Sequence, residues 1–396
     1  MFTNGNSIED ENEGNMEKLL KSQFGLLWLS AVVVLCPALL HAQQYLYTND
    51  SIQFNSGKNS VTAYKVSSKG AVSLIKSYPT GGLGSNGSYF ASIDIASGKT
   101  ASNDCIFASD AYSDDVAAYA IKLADGTLKA APHSPFKSGG AGAGRGIGLA
   151  VAYTSGKPFL FAGNTQSNTI TSFQINANCS LKMHKTYNVA GPPVGLKATS
   201  GGKYLITAYL GQVDSFKINA KGGLTELGPF SAQGLAAGVE ISCDNSTVYF
   251  GDAASDMQVE VFGLDSKGKL TELNNFTGNE AVNSNNVMLS ADGKTLFVSN
   301  TMSAPPAISV LSVGSGGSLT YISTTSLKGS SQYALGLSAT KSGAKLFVAE
   351  TNNNENVGVL KVKGTLLKEV SGSPFSGTQN GFTSFSLVAV PSQSCK

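Results

Sequence analysis

The chain is poor in the residues from which catalytic and nucleic-acid sites are most often built. It holds a single arginine, Arg145, a single tryptophan, Trp28, and three histidines, His41, His133 and His184. Any chemistry that joins an arginine clamp to a general-base histidine must draw on those few side chains. Charged residues are only 14% of 396 positions, and the formal net charge is +2. That balance excludes a nucleic-acid-binding tail or a polybasic membrane surface as the main role. No two cysteines stand in C-x-x-C spacing, so neither a zinc knuckle nor a thioredoxin-like centre is expected. A G-x-S-x-G elbow and an H-E-x-x-H helix are both missing. The GKT triplets at 98–100 and 293–295 resemble the ends of phosphate loops, but Ile93 and Met288 occupy the positions where the first glycine belongs.

What the chain does have is glycine, 45 residues of it, with 41% hydrophobic residues. Few charges and many glycines point to a β-rich, turn-rich domain of extracellular type. The stretch FGLLWLSAVVVLCPALL (24–40) follows Lys18 and Lys21 and ends before His41, Ala42 and Gln43. A basic start, an apolar core and a small residue before polar sequence form a signal peptide, with cleavage expected after Ala42. Pro37 and the short apolar length disfavour a permanent span; an uncleaved anchor is the alternative. Leu35 before Cys36 is too large for lipidation. The acidic lead-in at Glu9, Asp10, Glu11 and Glu13 is foreign to signal peptides, which places the true start at Met16. The expectation is therefore a leader over 1–42 and a single secreted or periplasmic domain over 43–396, with cysteines 105, 179, 243 and 395 in an oxidising compartment.

The strongest signal is a repeat of about fifty residues. Seven short aromatic-aliphatic strands recur: YLY (45–47), CIF (105–107), FLF (159–161), YLI (204–206), VYF (248–250), LFV (296–298) and LFV (346–348). Each is followed by an alternating strand, VTAYKV (61–66) in the first copy and VGVLKV (357–362) in the last. A hairpin with glycine or a short polar residue and a leucine-bearing outer strand then follow in six copies. Four short strands make a small sheet that cannot bury both faces alone; radial stacking solves this, and the class is all-β, a seven-bladed β-propeller. The first copy lacks its inner strand, and 382–390 is a lone strand with no successor. The C-terminal strand should therefore complete the N-terminal blade and abolish an open edge. That geometry sets Cys395 and Cys105 at the same end of neighbouring blades, where a bond could staple the closure, two free thiols being the alternative. Cys179, in an outer hairpin, and Cys243, in an inner turn two blades away, are left unpaired.

The turn SADGK (290–294), the strand LFVSN (296–300), and DSKGKL (265–270), with YLYTN (45–49), resemble the lactonase-like seven-bladed propellers of the 6-phosphogluconolactonase and carboxymuconate-cyclase type and the related YVTN repeats. The resemblance runs over nearly all of 45–390. It implies lactone opening by a His, Glu and Arg cluster over the channel mouth. The matching stretches here read PPVG (192–195), AAGV (236–239) and SNNV (284–287), without His or Arg. Arg145 in GRGIG (144–148) and Glu350 in VAETN (348–352) are the matching charges that remain. Losing preorganised charge partners costs orders of magnitude in rate, so the family chemistry is expected to be absent or altered.

Arg145, Glu350 and Glu240 are the candidate catalytic residues. Glu240 and Lys197, with Asp94, fall at equivalent places in inner strands and should line the axial channel, as a ligand site or as water-bridged polarity. Asp252, Asn300 and Asn164, which close second strands, join Lys197 as candidate ligand contacts. Asp50, Asp110, Asp114, Asp115, Asp252, Asp256 and Glu350 lack calcium-loop spacing and are spread over four blades, so no metal and no cofactor are expected. His133 and His184 belong to outer strands, far from the axis. Two functions stand against each other: a degenerate propeller binding a small molecule or a protein on its loop face, and a hydrolase opening a sugar or muconate lactone. Neither requires nucleic acid, a membrane after cleavage, or more than a monomer. N-terminal sequencing is expected to find a precursor that begins at Met16 and a mature chain that begins at Gln43; a precursor peptide containing Ile8 would refute the start site.

Overall fold

A computed structural model describes residues 43–50, 58–84, 94–142, 146–252, 259–278, 284–300, 305–328, 333–351, 356–376, 386–393 and 395. The expected leader and start site lie outside the described residues. Apart from one short 3-10 turn at Ser315–Gly317, the described elements are all strands. No helix among the described residues is long and apolar enough to cross a membrane.

The strands form seven antiparallel blades. Blade 1 orders Ser386–Val390, Gln44–Asn49, Lys58–Val66 and Val72–Leu83 from the axis outward. Blade 2 has Ile95–Lys99, Asp104–Asp110, Asp115–Lys122 and Thr127–Ala130, and blade 3 has Ile147–Thr154, Lys157–Asn164, Thr169–Ile175 and Leu181–Asn188. Blade 6 runs Ser284–Leu289, Thr295–Asn300, Ala307–Val313 and Leu319–Ser326; blade 7 runs Tyr333–Ala339, Lys345–Thr351, Asn356–Lys363 and Leu366–Glu369.

Blades 4 and 5 depart from separate four-stranded sheets. The second and third strands of blade 4 form one unbroken run, Tyr204–Ile218, folded at Gly211 (φ +82°). A backbone with that φ favours glycine, which has no Cβ to clash. Phe230–Ile241 pairs first with Leu210–Val213 of blade 4 and then becomes the inner strand of blade 5, before Thr247–Asp252, Val259–Leu264 and Leu270–Phe276. The two blades thus share one seven-stranded sheet.

The tail closes the ring as the sequence requires. Ser386–Val390 pairs antiparallel with Gln44–Asn49, in register from Tyr45 opposite Val390 to Asn49 opposite Ser386. The Ser386 hydroxyl donates to Asp94 of blade 2, whose own N–H donates back at 3.1 Å, and Asn49 Nδ2 donates to the Asp94 and Ser109 carbonyls at 3.1 and 2.9 Å. Apolar side chains fill the clefts between blades. Tyr45, Tyr47 and Val390 of blade 1 pack against Ile106, Ala117 and Tyr119 of blade 2, and Leu46, Tyr64 and Leu387 pack against Phe347 and Val359 of blade 7. All of these are almost fully removed from solvent. At ~25 cal/mol per Å2 of buried apolar surface, these inter-blade faces are the main source of stability.

The cysteine pairing differs from expectation. Cys105 bonds Cys179 (Cα–Cα 5.7 Å) and Cys243 bonds Cys395 (Cα–Cα 5.6 Å); Cys105 and Cys395 do not pair. The cause is lateral packing. In blades 2 to 5 the hairpin between the third and outer strands presses on the blade before it. Tyr47 Oη donates to the Gly126 carbonyl, Asn103 Nδ2 to Ala177, Ser172 Oγ to Gly222 and Ser215 Oγ to Gly268, at 2.5–3.0 Å. Cys179 sits in such a hairpin, so it meets Cys105 of blade 2.

Cys395 reaches Cys243 because the tail does not stop at blade 1. Beyond Val390, Ser392 bridges Thr340 of blade 7, and Gln393 Nε2 donates to the Leu289 carbonyl of blade 6 at 2.7 Å. Five residues extend ~16 Å, enough to cross two blades.

Candidate functional site

Seven inner strands surround an axial cavity of about 410 Å3. Side chains alternate along a strand, so every second residue faces the axis. The ones that remain partly exposed there are Ser97, Val151, Lys197, Met288, Leu337 and Val388. Glu240 joins them, 2.7 Å from Lys197 Nζ, and its Oε1 also accepts the Ile241 N–H at 2.9 Å. The cavity thus has one charged wall, formed by blades 4 and 5, and a largely apolar remainder. At one end Cys243, Ser392, Gln393 and Cys395 line it, so the crossing tail forms part of that wall.

Lys197 and Glu240 therefore stand together in the channel, as their equivalent strand positions imply. Asp94 does not line the cavity: it precedes its inner strand and is tied to Ser386. Glu350 is fully buried in blade 7, opposite Asn356 and Ala334, and does not line the cavity either. A Cβ at Gly358 would collide with Glu350 Oε1, so the carboxylate lies flat on that backbone. Arg145 lies outside the described residues. His133 is exposed in a turn and His184 is exposed on an outer strand, both remote from the cavity lining as expected.

Asn164, Asp252 and Asn300 occupy a recurrent place at the end of the second strand, shared by Asp50, Asp110 and Glu350. In each of the six blades concerned the side chain is buried. Asn164 Nδ2 donates to Thr169 and Thr171 at 3.2 and 3.3 Å, and Asn300 Nδ2 to Ser309 at 3.0 Å. The linker leading into the blade covers three of them through glycines: Gly82 lies on Asp110, Gly140 on Asn164 and Gly234 on Asp252, each so close that a Cβ would clash. These polar groups hold linkers in place and do not face the channel. The alternating sequence pattern could show that they end strands but not that chain passes over them.

The same packing perturbs carboxyls at the ring closure. Asp110 accepts hydrogen bonds from Thr80 Oγ1 (2.6 Å) and Asn59 Nδ2 (2.9 Å), while its Oδ2 has no partner. Burial pushes its pKa up to about 7, against those hydrogen bonds and with help from Asp115 and Asp94. Asp50 is pushed up to about 6 by burial, opposed by hydrogen bonds from Ser60, Thr62 and Thr48. Among the described residues, no group of three His, Cys, Asp or Glu side chains is placed to hold a metal.

No known family's sequence model matches the chain, and no curated protein sequence does. Solved structures do resemble it. A candidate 6-phosphogluconolactonase from Bacteroides fragilis is 19% identical, covering 89% of this chain and 99% of that one, with a TM-score of 0.68. A second candidate 6-phosphogluconolactonase, from Bacteroides uniformis, is 16% identical over 88% and 99% of the two chains, also at 0.68. The periplasmic gluconolactonase PpgL of Pseudomonas aeruginosa is 16% identical over 84% and 97%, with a TM-score of 0.62.

The raised carboxyls have a consequence for stability. Unfolded Asp titrates near ~3.9, so the folded protein holds protons on Asp50 and Asp110 that the unfolded chain has lost. Their contribution is complete below about pH 4 and is lost as pH rises through about 6 for Asp50 and about 7 for Asp110. Thermal midpoints measured across pH 4–8 should therefore fall toward pH 8, and Asp110→Asn should flatten the upper part of that fall. From this geometry and these neighbours, the chain has the fold of the lactonase-like seven-bladed β-propellers.

Proposed function

We propose that the chain is an exported, catalytically degenerate propeller that holds a compact ring molecule in its axial channel. The observation that carries this reading is the cavity itself, with the Lys197–Glu240 pair on one wall and Val151, Met288, Leu337 and Val388 on the others. Such a lining suits a ligand with one polar edge and an apolar body, such as a lactone or its ring-opened acid. Glu240 is held by Lys197, and Glu350 is buried away from the cavity, so these two candidate carboxylates do not converge on one reacting atom. Acid–base catalysis needs groups within hydrogen-bond reach of the same substrate.

Export is supported by the leader-like segment, by two disulfides that suit an oxidising compartment, and by the periplasmic neighbour. A lactone hydrolase is the second reading, favoured by the neighbours described as lactonases.

Lactone-opening assays and equilibrium binding separate the two. With gluconolactone and muconolactone as probes, the purified protein should open neither faster than its Arg145→Ala and Glu350→Gln variants. At least one probe should bind, and Lys197→Ala should weaken that binding about tenfold or more, as loss of a charged hydrogen-bond donor does. Turnover that falls about 100-fold or more in Arg145→Ala would overturn the binding reading in favour of the hydrolase.

A further inference from the structure

The charges in the axial channel are not demanded by the ring itself. Glu240 pairs with Tyr249, the middle residue of its blade's aromatic second-strand motif. At the same level Ser97 pairs with Ile106, Val151 with Leu160 and Met288 with Phe297. Blades 2, 3 and 6 thus meet the axis there with a hydroxyl, an aliphatic group and a thioether, and they pack into the same ring. Blade 5 instead places a buried carboxylate at that level. A buried ion pair is weak support for stability, because the hydration it loses offsets the attraction it gains. The pair therefore points to what the channel holds.

The geometry divides the work between the two side chains. Lys197 Nζ lies 2.7 Å from Glu240 Oε1, and that oxygen also accepts the Ile241 N–H at 2.9 Å. The Lys197 side chain keeps 39% of its surface exposed, whereas that of Glu240 keeps 9%. An ammonium carries three N–H donors, so pairing with Glu240 leaves donors for a ligand. The lysine reaches into the channel and the glutamate stands behind it. Among the described residues that line the cavity, these two alone carry formal charge, so that lining is neutral. An anion would surrender its hydration to a wall with no surplus positive charge, and would meet the Glu240 carboxylate beside the ammonium. A neutral carbonyl loses far less hydration and accepts a charge-assisted hydrogen bond from Lys197.

We propose that Glu240 sets the channel's selectivity for an uncharged cyclic carbonyl compound, a lactone or lactam, over its ring-opened acid. The inference rests on the channel-binding reading and narrows it to the closed ring. The carbonyl meets Lys197, and the body of the ring lies against Val151, Met288, Leu337 and Val388. Glu240 acts through Lys197: it cancels the charge that would otherwise draw in a carboxylate, which is selection by penalising the competitor.

The probes are gluconolactone, its hydrolysis-resistant lactam and gluconate, each titrated against the full mature chain at pH 6. The wild type should bind the lactone and the lactam at least about tenfold more tightly than gluconate. Glu240→Gln keeps the shape of the side chain and an acceptor for the Ile241 N–H, but it leaves Lys197 with the sole formal charge among the described lining residues. It should tighten gluconate binding about tenfold or more and change lactam affinity less than about threefold. Glu240→Ser, which copies blade 2 at this level, is the second variant and should shift gluconate the same way. Damage to the fold would weaken all three ligands together, whereas here gluconate alone should gain. Equal wild-type affinities for lactam and gluconate, or gluconate affinity unchanged in both variants, would overturn the selectivity while leaving the channel as a binding site. Failure of all three probes to bind the wild type would overturn the channel reading and the selectivity with it.

Discussion

The structure depends on one backbone ladder, the pairing of Ser386–Val390 with Gln44–Asn49. A propeller blade is too thin to shield its own apolar faces, so each must lean on two neighbours, and a ring without closure leaves two faces wet. The tail strand removes that defect, and its first residue, Ser386, also binds Asp94 of the next blade. The chain then continues past the ladder and crosses two more blades before the Cys243–Cys395 bond anchors it. Closure is thus a strand, a buried polar clamp and a covalent anchor acting in series, and the same crossing segment forms part of the wall of the axial cavity.

A second constraint repeats around the ring. In blades 2, 3 and 5 the entering backbone passes over the polar end of the second strand, and buried polar groups there need partners. Glycines at 82, 140 and 234 let the backbone lie directly on Asp110, Asn164 and Asp252. Asp110, Asn164 and Asp252, which look like part of a ligand-binding crown in the sequence, therefore lie beneath backbone. The axial channel holds Lys197 and Glu240, 2.7 Å apart, among apolar neighbours.

Much of this was legible in the residues. The repeated aromatic strands and the alternating strands after them defined the blades, and the unmatched ends of the chain defined the closure. Equivalent inner-strand positions brought Lys197 and Glu240 to the axis. The disulfides were not legible, because spacing along a blade says nothing of how the hairpin at Cys179 leans sideways onto Cys105. Asp94 was misplaced because a buried residue before a strand and a channel residue within it carry the same one-letter signal. The continuous sheet of blades 4 and 5 was hidden for a similar reason: Gly211 reads as an ordinary loop glycine until its tight turn is seen.

Amide hydrogen exchange resolved to peptides is the most direct measure of the closure. The account requires the amides of 44–49 and 386–390 to exchange together, slowly, with an opening free energy equal to that of global unfolding. Fast exchange across 386–390 while 44–49 stays protected would mean that the tail strand does not close the ring.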